Sequence, residues 1–238
     1  MLKARAMMAE LSSAFEALSE EQRAWLEEQG IVKVAFLAAG GIGVLPIVAW
    51  EDGHFEPAGE ASGNEGDPMR FNAVVVGAFA DPPAAAADAG PGEVAPACVD
   101  QVAFDPRSPD RWWRRRRTAL ALGEWALAPW GGLAIEAPRR VRLCATPLAW
   151  LKALDGWPAE DVAGPLCLLG PVVGLTPGGE GEEARYLRDV IEGAGAIVCD
   201  DEDHAAVVYA ALRKRPKPPA LPEVFIREAG EDNKQEAV

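Results

Sequence analysis

The sequence is poor in the residue types that build most metal and nucleophile sites. His54 and His204 are its only histidines. The four cysteines are far apart along the chain: Cys98, Cys144, Cys167 and Cys199. Neither set has the close spacing of zinc ligands, and a chain of this length does not depend on disulfides for stability. The composition therefore argues against a zinc finger or a disulfide-rich scaffold, and it predicts four reduced, buried thiols.

A long apolar run is also missing. A membrane-spanning helix needs about 18 or more consecutive apolar residues, and no segment of the chain has them. Residues 1–10 contain two basic side chains but no apolar segment like that of a signal peptide. Arginine outnumbers lysine, and alanine, glycine and proline are abundant, as in products of GC-rich bacterial genes. We therefore expect a bacterial, cytoplasmic protein that has no membrane partner.

One segment departs from the acidic character of the chain. The formal net charge is −14, whereas residues 101–150 carry nine basic and four acidic side chains. Within this region, residues 111–117 read Arg-Trp-Trp-Arg-Arg-Arg-Arg, which we call the Arg/Trp segment. Guanidinium groups bind phosphate, and indole rings stack on nucleic-acid bases. The negative charge of the remaining chain opposes non-specific binding to DNA by electrostatic repulsion.

The Arg/Trp segment supports three interpretations. Residues 109–117 are predicted to form a short helix with both indoles on one side and most of the guanidinium groups on the other. The tryptophans then anchor the helix to the core, while the arginines are solvated or pair with carboxylates. Alternatively, the segment contacts phosphate or nucleic acid, or it contacts an acidic protein partner. The candidate nucleic-acid-binding residues are Arg111, Trp112, Trp113, Arg114, Arg115, Arg116 and Arg117.

A run of acidic residues follows the strand predicted at 196–199. Carboxylates at the C-terminal end of a parallel strand are typical of magnesium-dependent phosphoryl-transfer sites. Asp200, Asp201 and Asp203 are therefore candidate magnesium ligands. The alternative is structural: Asp201 is the N-cap of a helix that ends near Arg213, and the acidic residues of the first turn stabilise the helix dipole.

The first part of the chain is predicted to contain helices and a small antiparallel sheet. Leu11, Phe15 and Leu18 recur with helical spacing and therefore share one face of a helix. Apolar runs at 44–50 and 71–79 predict strands. Residues 40–43, which are rich in glycine, predict a hairpin turn, because another strand and not a helix follows them.

The second part alternates short apolar strands with helices. Strands are predicted at 99–104, 119–122, 141–145, 166–169 and 196–199, with a further short strand at 223–226. Asp105-Pro106-Arg107, after the first of these, predicts either a turn or a charged pair in a cleft. Continuous apolar strands separated by helices are typical of a parallel sheet. The expected fold class is mixed α/β: N-terminal helices plus a small antiparallel sheet, then a compact domain with a mostly parallel sheet flanked by helices.

Residues 81–97 are the clearest linker, because they consist largely of proline, alanine and glycine. We therefore predict a helical start and small β-sheet region at 1–80, an α/β domain at 98–214 and a flexible tail at 215–238. If the two sheets instead merge into one, residues 81–97 form a surface loop.

Four short motifs resemble those of one group of proteins. They are residues 99–106, the Pro109-x-x-Trp112 pattern, residues 146–151, and Glu202-Asp203-His204-Ala205. Together they resemble a family of uncharacterised proteins from alphaproteobacterial genomes and their phage-like elements. The resemblance covers about residues 99–212. It implies a bacterial, mobile-element origin, and it assigns no activity and no catalytic residue.

The sequence presents no complete catalytic set, so we expect a binding or accessory protein that serves nucleic-acid processes of mobile elements. The first alternative is a metal-dependent nucleotide or phosphoester enzyme that uses the cluster at 200–203 and Arg114 to Arg117. The second is a protein–protein interaction module. No cofactor is expected, except Mg²⁺ under the first alternative.

Overall fold

The computed structural model describes residues 2–31, 41–61, 67–80, 97–123, 140–155, 162–169, 194–213 and 223–226. These residues form both helices and β-sheets, so the predicted mixed α/β class is confirmed. The described helices are α1 (Leu2–Glu16), α2 (Glu20–Glu28), α3 (Pro147–Asp155) and α4 (Glu202–Arg213). None of these helices is long and apolar enough to cross a membrane.

The described strands belong to two sheets. The first sheet contains β1 (Ile42–Ala49), β2 (Phe55–Pro57), β3 (Met69–Ala80), β4 (Ala97–Asp105) and β5 (Ser108–Arg114). The second sheet contains β6 (Ala121–Leu122), β7 (Arg140–Cys144), β8 (Val162–Leu168), β9 (Ala196–Cys199) and β10 (Glu223–Ile226). Every strand predicted within the described ranges overlaps one of them, but β2 and β5 were not expected.

The first sheet has the strand order β2-β1-β3-β4-β5, and all its neighbours are antiparallel. β3 pairs with β4 along most of its length, up to Ala80 opposite Ala97. The sheet therefore combines strands from both sides of residues 81–97. The division of the chain at that segment stays a prediction, since residues 81–96 lie outside the described ranges.

The two faces of β3 lie in different apolar clusters. Val74 and Val76 belong to a cluster that also contains residues of the second sheet, whereas Ala73 and Val75 belong to a cluster with Leu11 of α1. A strand that is buried on both faces needs a continuous apolar run instead of an alternating one. This accounts for the sequence of β3 and places the first sheet between α1 and the second sheet.

Gly43 allows α1 to lie close to β1. A Cβ atom at Gly43 would lie 2.6 Å from the Cβ atom of Ala14, so a larger residue would force the helix away from the strand. Gly43 is inside β1, and the prediction of a hairpin turn at 40–43 is therefore wrong at this residue. Its small size serves the packing of a helix on a strand.

The second sheet has the strand order β10-β9-β7-β8-β6. The first four of these strands are parallel, and β6 runs antiparallel to β8. α3 follows β7, and the Thr146 hydroxyl caps it by accepting a hydrogen bond from the Ala149 N–H at 3.1 Å. The predicted tail lies outside the described residues except for β10.

One apolar cluster joins the two sheets. It contains Val76 and Phe104 of the first sheet together with Leu122 and Cys167 of the second and Trp150 of α3. All five side chains are fully buried. Burial of such residues is the main favourable term in folding, so the cluster holds the two sheets together.

Candidate functional site

Much of the Arg/Trp segment is a strand, and the helix predicted at 109–117 is wrong. β5 runs from Ser108 to Arg114 and forms a hairpin with β4. At the turn, the Asp105 carboxylate accepts a hydrogen bond from the Arg107 N–H at 2.9 Å and pairs with the Arg107 guanidinium at 3.0 Å. This guanidinium holds the pKa of Asp105 below its usual value. The turn interpretation of Asp105-Pro106-Arg107 is therefore confirmed.

Both tryptophans of the segment pack inside the protein. Trp113 is buried, and its indole N–H donates to the carbonyl of Trp50 at 3.0 Å. The Arg111 guanidinium lies over the Trp113 ring, 5.0 Å from its centre. Trp112 is half-buried against the cluster that joins the two sheets. The first role of these indoles is therefore to anchor β5.

Arg114 connects the two sheets. Its Nη2 atom lies 3.3 Å from the carboxylate of Asp100 in β4 and donates to the carbonyl of Ala119. Its Nη1 atom donates to the carbonyl of Leu169, at the end of β8, at 3.4 Å. Asp100 is fully buried and Arg114 is half-buried, so this ion pair is poorly screened by water.

The same Asp100 carboxylate holds the turn after β5. It accepts backbone hydrogen bonds from Gln101 at 2.8 Å, Arg116 at 2.9 Å and Thr118 at 3.0 Å. Hydrogen bonds from several N–H groups offset the solvation that a carboxylate loses when it is buried. The buried negative charge of Asp100 is therefore compensated by one guanidinium and by main-chain dipoles.

Arg115 and Arg117 bind other parts of the first sheet and its helix. The Arg115 guanidinium pairs with Glu10 of α1 at 2.6 Å and with Glu60 at 2.6 Å. The Arg117 guanidinium pairs with Asp52, in the turn between β1 and β2, at 2.9 Å. Among the described residues, Arg116 is exposed and has no ion-pair partner. Arg114, Arg115 and Arg117 are thus held by ion pairs within the protein, whereas Arg111 and Arg116 are exposed and have no ion-pair partner among the described residues.

Asp200 plays a similar part in the second sheet. Its carboxylate pairs with Arg142 of β7 at 3.1 Å and accepts the Ala145 N–H at 2.8 Å. The strand order reverses between β7 and β9, and the carboxyl ends of strands at such a point commonly bind ligands. Here the Asp200 carboxylate already accepts the hydrogen bond of the Ala145 N–H, which is the kind of main-chain group that binds an anionic ligand.

Asp201 is the N-cap of α4, as the structural alternative predicted. Its side chain accepts the His204 N–H at 2.8 Å, and Glu202 and Asp203 stand exposed in the first turn. The described residues contain no group of three or more His, Cys, Asp or Glu side chains placed to hold a metal ion. A magnesium site at Asp200, Asp201 and Asp203 stays a prediction.

His204 lies beside this carboxylate cluster. Its Nδ1 atom is buried and has no hydrogen-bond partner in the part of the chain that the structure describes. Burial lowers the pKa of the ring below its usual value of 6.5, and the charges of Asp200 and Asp201 partly oppose this effect. The imidazole is therefore biased towards its neutral form.

Sequence reasoning missed two residues of these clusters, Asp100 and Arg142. Each is a charged residue within a strand, and each is buried. A buried charge needs a partner, so such a residue signals an internal ion pair. The identity of the partner depends on the long-range fold, which the sequence pattern does not contain.

A different surface exposes apolar side chains. Among the described residues, the large hydrophobic side chains that stand exposed are Val207 (53%) and Tyr209 (43%) of α4 and Ile226 (45%) of β10. α4 lies against β10, and the Arg213 guanidinium is 5.4 Å from the centre of the Tyr209 ring. We call this region the α4–β10 surface.

Comparison with known proteins finds no match: no family model, no curated protein and no solved structure is similar to this chain. The resemblance to alphaproteobacterial and phage-element proteins stays a prediction.

Proposed function

We propose that the protein is a bacterial binding or accessory protein that acts by contacting another protein molecule through the α4–β10 surface. The observation that carries this proposal is the exposure of Val207, Tyr209 and Ile226. Aromatic and aliphatic side chains on an otherwise polar surface are typical of protein–protein interfaces. The surface is on the second, mostly parallel sheet: α4 lies in the α/β domain that we propose for residues 98–214, and β10 lies in the segment that follows this domain.

The contacts of the Arg/Trp segment support a protein partner over a nucleic acid. Arg114, Arg115 and Arg117 are each paired with a carboxylate of the chain. Binding of phosphate by these groups would first break those ion pairs. The net charge of −14 adds long-range repulsion between the protein and DNA.

The contacts of the acidic cluster count against the metal-dependent enzyme. Asp200 pairs with Arg142, and Asp201 caps α4. Magnesium binding would compete with a cation for the first carboxylate and with a helix cap for the second. The resemblance to proteins of phage-like elements favours an accessory role in the processes of such elements.

The experiment that tests the proposed function places a photo-crosslinking residue at Val207 in the full-length chain. As a control, the same residue replaces Arg70, an exposed residue of β3. Irradiation in bacterial cells is expected to give one discrete product at position 207 and none at position 70. Excess unlabelled wild-type protein should suppress the product, and excess Val207→Arg protein should not.

A nucleic-acid titration tests the alternative that the protein binds DNA. Fluorescence anisotropy of labelled single- and double-stranded DNA is expected to show no binding by the folded protein at moderate salt. Salt-sensitive binding that disappears in an Arg111→Gln, Arg116→Gln double variant would overturn the proposal in favour of a nucleic-acid role.

A further inference from the structure

We propose that the partner at the α4–β10 surface is a second copy of this chain, bound through an antiparallel pair of α4 helices. This inference rests on the proposed function, because it uses the same surface and names its occupant. It adds a two-fold symmetric homodimer with a defined set of contacts.

The centre of the outward face of α4 carries small side chains. Val208, Ala211 and Leu212 turn inward and are buried. With about 100° between successive residues, Ala206 and Ala210 lie at the centre of the opposite, exposed face. Alanine side chains at a helix contact permit a short distance between the two helix axes.

The two sides of this face differ in chemistry. Asp203 and Val207 lie on one side of the alanines, and Glu202, Tyr209 and Arg213 lie on the other. The acidic residues are at the N-terminal end of α4, and Arg213 is at its C-terminal end. The helix is therefore apolar in the middle and oppositely charged at its ends.

This distribution is self-complementary when two copies pack antiparallel. A two-fold axis beside Val208 places Ala206 of one copy opposite Ala210 of the other. It also brings Glu202 of one copy beside Arg213 of the other. A two-fold interface repeats each contact, so both ends of the helix pair gain an ion pair.

The apolar side chains meet near the same axis. The two copies of Val207 lie side by side on one flank of the helix pair, and the two copies of Tyr209 lie on the other flank. Antiparallel helices also place opposite dipole ends together. A parallel pair would bring Glu202 close to its own copy and is therefore disfavoured by charge.

The size of the helix suggests a moderate affinity. A helix of 12 residues is about 18 Å long. A standard interface buries about 800 Å² on each partner, which is more than one short helix provides. The contact between two such helices is therefore small, and we expect a dissociation constant on the order of micromolar.

The test is sedimentation equilibrium of the full-length protein between about 1 and about 200 μM. The wild type is expected to pass from monomer to dimer in this range. Glu202→Lys and Arg213→Glu should each raise the dissociation constant by on the order of ten-fold, because each turns two attractive contacts into repulsive ones. Glu20→Lys is the matched control, since Glu20 is the exposed first residue of α2, and it should leave the dissociation constant unchanged.

A mixture of the two charge variants gives the decisive result. Equal amounts of Glu202→Lys and Arg213→Glu protein should form a heterodimer with near wild-type affinity, because lysine then faces glutamate. Ala206→Gln leaves the charge of the helix unchanged, and glutamine is also a good helix former. If the centre of the face is in contact, this variant should weaken the dimer.

Three outcomes overturn the dimer. They are a wild type that stays monomeric, charge variants that dimerise like the wild type, and a mixture that fails to recover. The crosslink at Val207 separates the two proposals. The dimer predicts a product of twice the chain mass, which is 25.3 kDa for one chain. A product with a different protein overturns the dimer alone, whereas the absence of any product at Val207 overturns the proposed function as well.

Discussion

Two aspartates, the buried Asp100 and the half-buried Asp200, define the chemistry of the molecule at the scale of residues. Asp100 pairs with Arg114, and Asp200 pairs with Arg142. Each carboxylate also accepts main-chain N–H groups from a neighbouring segment. Arg114 and Asp200, which the sequence marks as candidates for phosphate and metal chemistry, are thus each paired with another charged side chain of the same chain.

Substitution of Asp100 by Asn should strongly destabilise the protein. The change removes the negative charge opposite Arg114 and replaces an acceptor oxygen by an N–H donor in a buried position. Loss of one partner of a buried pair typically costs about 3–5 kcal/mol. Urea denaturation measures the free energy of unfolding. Asp105→Asn is the matched control, because the Asp105–Arg107 pair is at an exposed turn; equal losses in both variants would contradict the role of Asp100.

His204 should make the protein less stable in mild acid. Its folded-state pKa is lowered by burial below 6.5, so the unfolded chain takes up a proton first as the pH falls. The stability contributed by the neutral ring is present above the unfolded pKa and is lost as the pH falls through the folded pKa.

The His204 prediction is checked by nuclear magnetic resonance and by denaturation. The titration midpoint of the His204 ring should lie below 6.5. Between about pH 7 and about pH 5, the free energy of unfolding should fall less for His204→Gln than for the wild type. A midpoint above the usual value would show that the neighbouring carboxylates outweigh burial.

At the scale of elements, features set by neighbouring residues could be predicted from the sequence, whereas features set by distant strand pairing could not. The caps at Asp201 and Thr146 are formed by side chains within three residues of the groups they bind. β5 is different, because Trp112 and Trp113 fit a helix face as well as a strand. Pairing of these residues with Phe104 and Ala103 of β4 decides the outcome, and a short segment carries no signal for such distant partners.

The candidate sites show the same limit. The sequence indicated the Arg/Trp segment and the acidic cluster at 200–203 as candidate sites, and its structural alternative correctly predicted Asp201 as a helix cap. It did not indicate that Arg115 pairs with Glu10 of α1 or that Asp200 pairs with Arg142. Whether an arginine is available to a ligand depends on such pairs, which form only after α1 and the strands have assembled.

At the scale of the whole molecule, the two sheets share one core. Residues on both sides of 81–97 pair in the first sheet, and the cluster around Phe104 and Trp150 joins it to the second. We therefore expect the sheets to unfold together. The four buried cysteines report on this, because they are distributed over all three apolar clusters: Cys98 with α1, Cys144 and Cys167 between the sheets, and Cys199 with α4.

Thiol labelling tests this cooperativity. Burial raises the pKa of Cys98 and of Cys199 to about 12, and it raises that of Cys167 well above its usual range. The thiolate is the reactive form, so a disulfide reagent at about pH 8 should leave the folded protein unmodified. In denaturant near the unfolding midpoint, mass spectrometry should find chains with either no label or four labels, because one opening event exposes every thiol. Chains labelled at Cys199 while Cys98 stays protected would show that the second sheet opens on its own, and the shared core would then not couple the two sheets.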